Sequence, residues 1–169
     1  MGPNGAGKST TMKVMTGYTP PTSGNVNIGG YDIIKNSIDA RKLIGYLPES
    51  VPLYTDMTVK EYLSYMGSLR GMGKNILNRV DEVIDLTSLN QYKNVLISKL
   101  SKGYRQRTGI AQAILHKPKI LILDEPTIGI DPVQVVETRK LIQNLGEEHT
   151  LILSSHILPE VTSLCNRVL

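Results

Sequence analysis

The sequence predicts an α/β fold, a mostly parallel sheet flanked by helices with an inserted α-helical subdomain, and three observations carry that expectation. Ile120 to Leu123 and Thr150 to Ser154 are short apolar runs separated by a helical stretch, the pattern of parallel strands buried on both faces. Gly2-Pro3-Asn4-Gly5-Ala6-Gly7-Lys8-Ser9-Thr10 is a glycine-rich turn running into a helix, and it satisfies every position of G-x-x-x-x-G-K-[ST]. After Pro48 the pattern changes from mixed strands to helices, which marks a subdomain boundary.

Lys8 to Thr16 reads as a helix with Met12, Val14 and Met15 available for a core, stopped by Gly17 and the turn cluster Pro20-Pro21-Thr22-Ser23-Gly24. Asn25 to Ile28 alternates as a short strand turned by Gly29-Gly30, and Ile44 to Leu47 reads as another, ended by Pro48. Thr58-Val59-Lys60-Glu61 is a capping box, followed by Val59, Tyr62, Leu63, Met66 and Leu69 at helical spacing up to Gly71. A second helix spans Ile76 to Leu86 with Ile76, Val80, Val83 and Ile84 on one face. A third starts at Ser101 and runs to about His116, and Pro118 separates it from the apolar strand. Pro132 sits where a first helical turn tolerates it, and Val133 to Leu145 continues as helix.

Composition narrows the function classes. The chain has 169 residues, 40% hydrophobic and 20% charged, enough for one core. Its net charge of +4 is mild and its Lys and Arg residues are scattered, so the electrostatic footprint of a nucleic-acid binder is missing and no direct nucleic-acid partner is expected. Cys165 is the sole cysteine, which excludes an internal disulfide and fits a reducing compartment; it reads as an inert thiol on a helix face. The apolar runs are far shorter than the ~20 residues that span a bilayer, so membrane association is expected only through a partner. The N-terminus lacks the pattern of a secretory signal, and Ala6 stands where a myristoylation motif needs Ser or Thr.

The loop chemistry follows from its residue types. Glycines let consecutive backbone N–H groups converge on phosphate oxygens, Lys8 reaches the β- and γ-phosphates, and the Ser9 hydroxyl can hold Mg²⁺. The helix beginning near Lys8 adds the positive end of its dipole to the same anion. The apolar strand Ile120 to Leu123 ends in Asp124-Glu125, which places carboxylates at the carboxyl edge of a parallel sheet, where ligands bind. Asp124 then faces Mg²⁺ opposite Ser9, and Glu125 is positioned to polarise an attacking water. Standing alone, paired acids also fit a solvated strand end or a helix cap.

They do not stand alone: the order and wording of several motifs resemble the ATP-binding subunit of an ABC transporter, over essentially the whole chain. Leu100-Ser101-Lys102-Gly103-Tyr104-Arg105-Gln106-Arg107 resembles the family's signature motif, Ile128-Gly129-Ile130-Asp131 its D-loop, and Ser154-Ser155-His156 its switch histidine. The resemblance implies a P-loop NTPase with ATP and Mg²⁺ as ligands. Residues 1–47 and 118–169 then form the two parts of a RecA-like ATP-binding core, and residues 48–117 the Q-loop and α-helical signature subdomain. Ser101 reads as the cap of a helix whose open N–H groups face outward, and the resemblance implies that Ser101, Lys102 and Gly103 bind the γ-phosphate held by a second ATP-binding subunit, in a homo- or heterodimer. Asp131 links the two halves. Lys102 replaces the glycine commonest in the signature. Glu49 stands where the Q-loop usually has glutamine; a carboxylate can still ligate Mg²⁺ but cannot donate a hydrogen bond. His156 is implied as the γ-phosphate sensor, whereas His116 and His149 read as solvated surface residues.

The wording around Glu49, Arg105 and His156 is similar to a subgroup of bacterial ABC-2-type exporter ATPases, including the gliding-motility ATP-binding proteins. A transmembrane permease is the implied partner, contacted through the surface near Val51 to Tyr65, which gives a cytoplasmic protein peripheral to the inner face of the cell membrane. Relative to the family pattern, the strands before the loop, the adenine-stacking aromatic and the terminal strands lie outside the sequence. Lower stability and about tenfold to hundredfold weaker ATP binding are therefore expected. Two alternatives stay open: a non-catalytic remnant or nucleotide-responsive module of the same family, and a soluble ABC ATPase of translation or DNA repair, which a second cassette or a long coiled-coil insertion would favour.

Overall fold

Helix and strand alternate along the chain largely as the apolar pattern predicts. The computed structural model describes Gly2 and residues 5–168. In chain order its elements are α1 (Lys8–Met15), β1 (Asn27–Ile28), β2 (Tyr31–Asp32), α2 (Ser37–Lys42), β3 (Ile44–Leu47), α3 (Val59–Leu69), α4 (Ile76–Leu86), α5 (Lys102–Ile114), β4 (Ile120–Asp124), α6 (Pro132–Glu148), β5 (Thr150–Ser154) and α7 (Leu158–Leu164), with short 3₁₀ turns at Asn90–Tyr92 and Ile97–Lys99. β3, β4 and β5 form a parallel sheet in that order, with Leu47 opposite Leu123 and Asp124 opposite Ser154. β1 and β2 form a separate antiparallel hairpin.

The central strand explains why its sequence is apolar throughout. Leu121 and Leu123 face one cluster, filled by Leu63 of α3, Val83 of α4, Ile110 of α5 and Ile142 of α6. Ile122 faces the other, with Ile44, Met12 of α1, Ala40 of α2 and Ile33. A strand sandwiched between two helical layers has no polar face to show. Where α5 crosses β3, a Cβ on Gly45 would stand 2.2 Å from the Ala113 carbonyl oxygen, so only glycine admits the close approach. Arg79 of α4 donates to the Leu115 and Ile114 carbonyls at 2.9 and 2.7 Å, satisfying the open C-terminal end of α5.

The structure differs from the sequence reading in four places. The first strand shortens to Asn27–Ile28 and pairs with Tyr31–Asp32. α2 and α7 are additional helices of six and seven residues, too short for a period to be read from apolar spacing. Cys165 is the C-terminal cap of α7, with an extended backbone, and not a residue on a helix face. Neither His116 nor His149 is a solvated surface residue. His116 is half-buried with Nε2 3.0 Å from the Ile44 carbonyl, and His149 Nδ1 lies 2.7 Å from the Pro118 carbonyl, because each ends the connection leading into or out of the sheet. The fold class stands as predicted.

Candidate functional site

Gly5 and Gly7 adopt φ of 83° and 88°, and a Cβ at either would touch nothing within 4 Å. Backbone conformation alone therefore requires glycine there, since the left-handed region strains other residues. Gly7 is the N-cap of α1 and supplies no side-chain cap, and the first turn carries no acid, so the amides at this end are left to face an anion. Lys8 Nζ donates to the Gly2 carbonyl at 2.6 Å, folding its side chain back over the loop. Ser9 is half-buried and Thr10 exposed, while Pro3 and Asn4 lie outside the described residues.

At the carboxyl ends of β4 and β5, Asp124 is 2% exposed and accepts a hydrogen bond from the Ser154 hydroxyl. That hydroxyl accepts in turn from the Glu125 backbone N–H at 3.0 Å. Glu125 sits at φ 48°, one of few non-glycine residues there with positive φ, a conformation that costs about 1 kcal/mol or more and needs surrounding structure to hold it. Its Oε2 lies 2.8 Å from Nδ1 of His156, whose own side chain is 42% exposed. The acid is buried and its imidazole partner opens to solvent, so a molecule arriving at this edge meets the histidine and the carboxylate together.

Behind this pair lies a network on Glu160 of α7, a carboxylate only 1% exposed. It accepts from Thr127 Oγ1 at 2.6 Å, Ser155 Oγ at 2.8 Å and the Arg139 guanidinium at 3.1 Å. Ser155 precedes His156 and Thr127 follows Glu125 by two, so one carboxylate pins both loops that carry the histidine and the acid.

The signature residues form a second cluster. Ser101 caps α5, accepting from the Tyr104 N–H at 3.5 Å, and Asp131 caps α6, accepting from the Gln134 N–H at 3.0 Å. Gln134 joins the two caps: its Nε2 donates to Ser101 Oγ at 3.5 Å, and its side chain fills the space a Cβ on Gly103 would need. Lys102 lies across Gly129, with Nζ where a Cβ on that glycine would stand. Ser101, Lys102 and Asp131 are exposed. Glu49 is exposed too and lines a 330 Å³ cleft shared with Lys102, Arg105 and Gln106.

The family of ABC transporters has a sequence model that matches residues 1–128. The chain belongs to the ABC transporter family. It is 41% identical over 170 residues to the bacitracin transport ATP-binding protein BcrA of Bacillus licheniformis, covering 99% of this chain and 55% of that protein. It is 39% identical over 172 residues to the linearmycin resistance ATP-binding protein LnrL of Bacillus subtilis strain 168, again covering 99% and 55%. Among solved structures, CbiO1 from Clostridium perfringens, part of the ABC transporter complex CbiONQ, superposes with a TM-score of 0.85 at 30% identity, covering 98% of this chain and 69% of that one. The chain thus spans about half the length of the curated relatives it matches.

Within this ABC chain, the expected residues fall into two groups. Asp124, Glu125 and His156 come together at one sheet edge, and Ser101, Lys102, Gly103 and Asp131 come together around Gln134. Sequence reasoning missed Ser154 as the bridge between Asp124 and the Glu125 amide, and missed Gln134, Thr127, Arg139 and Glu160 altogether. Ser154 was readable as the last residue of an apolar strand beside a carboxylate-tipped one. Glu160 carried no signal beyond an acid at the start of a short helix.

Proposed function

We propose that the chain is an ATP-binding and ATP-hydrolysing subunit that powers an ABC transporter, of the bacterial ABC-2 exporter type. The observation that carries this reading is the buried Asp124–Glu125 step at the end of β4 with His156 hydrogen-bonded to Glu125. The names of the relatives, one for bacitracin transport and one for linearmycin resistance, support an exporter of drug or antibiotic type.

The loop amides and Lys8 take the β- and γ-phosphates, and Thr10 lies at the start of the same helix. Ser9, Asp124 and Glu49 would hold Mg²⁺ through a hydroxyl and two carboxylates, an all-oxygen set that suits the cation. The cation, when bound, supplies neutralisation of charge on the transferred phosphoryl group. Glu125 takes the proton of the attacking water, and His156, fixed through Nδ1 by the same carboxylate, turns its other nitrogen toward the γ-phosphate. Water leaves the site when a second ATP-binding subunit closes over it, presenting the capped N-terminus of α5, Ser101 to Gly103, to the γ-phosphate. Asp131 lies at the contact between halves. Residues 1–47 and 118–169 serve as the ATP-binding core and residues 48–117 as the arm that reaches the permease, through the surface from Val51 to Tyr65. No helix among the described residues is long and apolar enough to cross a membrane, in keeping with a separate permease on whose inner face the subunit sits.

The test is phosphate release from Mg-ATP as a function of protein concentration. A rate rising faster than linearly, and lost in Glu125→Gln, supports a two-subunit ATPase. A rate equal in wild type and variant rejects it.

A further inference from the structure

A second concavity lies at the end of α1 remote from the phosphate loop. A cavity of about 920 Å³ opens between the residues that follow α1, the C-terminal half of α2, the start of β3 and the end of α3. That volume is in the range of small-molecule sites. The eight residues of α1 separate it from Lys8 by roughly 12 Å at a helical rise of ~1.5 Å per residue.

Its chemistry is one-sided. Arg41, Lys42 and Arg70 line it and no carboxylate does. Lys42 is paired with Asp39 at 3.0 Å. Arg70 makes no side-chain hydrogen bond or ion pair with the described residues, and desolvation against the cavity wall pulls its guanidinium below the usual arginine value. The Arg70 guanidinium is exposed to solvent at the cavity mouth, where it is available to an anion through charge-assisted hydrogen bonds.

Two polar atoms in the wall are buried without partners among the described residues, the Tyr46 hydroxyl and His116 Nδ1. Because the Ile44 carbonyl can only accept, His116 Nε2 carries the proton and Nδ1 is left as an acceptor. Burial, reinforced by Arg70, pushes the His116 pKa down to about 4, so the ring is neutral near pH 7. The rim is apolar: Tyr18, Ile38 and Leu69 are 77%, 67% and 62% exposed, among the largest exposures of big hydrophobic side chains, and all three line this one cavity. Scattered exposed hydrophobics are ordinary, but three around an unpaired arginine are a patch with a head-group.

We propose that this cavity is a binding site for a small amphipathic organic anion, distinct from the nucleotide site. Arg70 and Arg41 take the acidic head, Tyr18, Ile38 and Leu69 cover the apolar body, and Tyr46 and His116 offer one donor and one acceptor at the base. The inference stands independently of ATP hydrolysis.

The experiment is a fluorescence titration with 1-anilinonaphthalene-8-sulfonate in saturating Mg-ATP, alongside N-phenyl-1-naphthylamine, which has the same rings without the sulfonate. The His116 imidazole ¹⁵N signals are followed in parallel. The expected result is one saturable site that takes the uncharged probe about tenfold or more weakly, loses about tenfold in Arg70→Gln, and shifts the His116 signals. Equal affinity for both probes, equal affinity in Arg70→Gln, displacement by Mg-ATP, or unmoved His116 signals would each overturn it. Arg70→Gln is checked for folding by its thermal melt, and the comparison of the two probes needs no variant.

Discussion

The sheet edge and the signature segment hold their polar groups in opposite ways. At the edge, Asp124, Glu125, Ser154, Ser155 and Glu160 are all under 10% exposed and hold one another. At the signature segment, Ser101, Lys102 and Asp131 are exposed, and their hydrogen bonds are helix caps at 3.5 and 3.0 Å, joined only by a 3.5 Å bond from Gln134 to Ser101. A buried network is preorganised and therefore fragile, since removing one member strands the others in a medium that cannot hydrate them. An exposed cap tolerates loss because water replaces it. The proposed function assigns chemistry to the first and recognition of another surface to the second.

That contrast can be broken by substitution. Glu125→Gln should lower ATP hydrolysis by about a hundredfold or more, the scale of a lost general base, and cost about 1 kcal/mol or more in stability, because the carboxylate it replaces is buried and paired with His156. Phosphate release paired with a urea melt checks both halves. Glu160→Ala leaves Arg139, Thr127 and Ser155 without their buried acceptor and should cost about 3 to 5 kcal/mol in urea unfolding. A cost under 1 kcal/mol would mean the network is not a unit. Ser101→Ala should cost only about 0.5 kcal/mol, the low end for an N-cap, because its bond to Tyr104 is long at 3.5 Å. A loss as large as that at Glu160 would erase the distinction between the regions.

A separate effect is set by pH. The folded-state pKa of His116 is depressed from 6.5 to about 4, so below pH 6.5 the unfolded chain binds a proton that the folded chain refuses. Stability therefore falls as pH drops from 6.5 toward 4 and levels off below that. His116→Gln should flatten this part of the stability profile, measured by urea melts across that window.

What could be read in the sequence follows from how each feature is encoded. β4 was legible because a strand buried on both faces must be apolar at every position, and α3 because Thr58 and Glu61 cap it reciprocally, with Thr58 N–H to Glu61 Oε2 at 2.8 Å. The Asp124–Glu125 step at a strand end and the glycine-rich turn into α1 were legible because each is written in adjacent residues. His156 entered the reading only through family resemblance, as a γ-phosphate sensor, and its hydrogen bond to Glu125, 31 positions away, was not legible. Glu160 and Gln134 were not legible at all: an acid and an amide on helices read as solvated until the tertiary fold puts a serine, a threonine or a glycine against them. His116 failed for the same reason, since nothing beside it in sequence announces the Ile44 carbonyl 72 positions away.

The division between a buried chemical half and an exposed recognition half is tested most directly by mixing two inactive chains. Glu125→Gln removes the acid and keeps the signature, and Ser101→Arg blocks the signature and keeps the acid. If each site draws these residues from different subunits, a symmetric dimer made from an equal mixture recovers about a quarter of the wild-type phosphate release, because half the dimers carry one intact site. A mixture as inactive as its components, or full activity in Ser101→Arg alone, would contradict it.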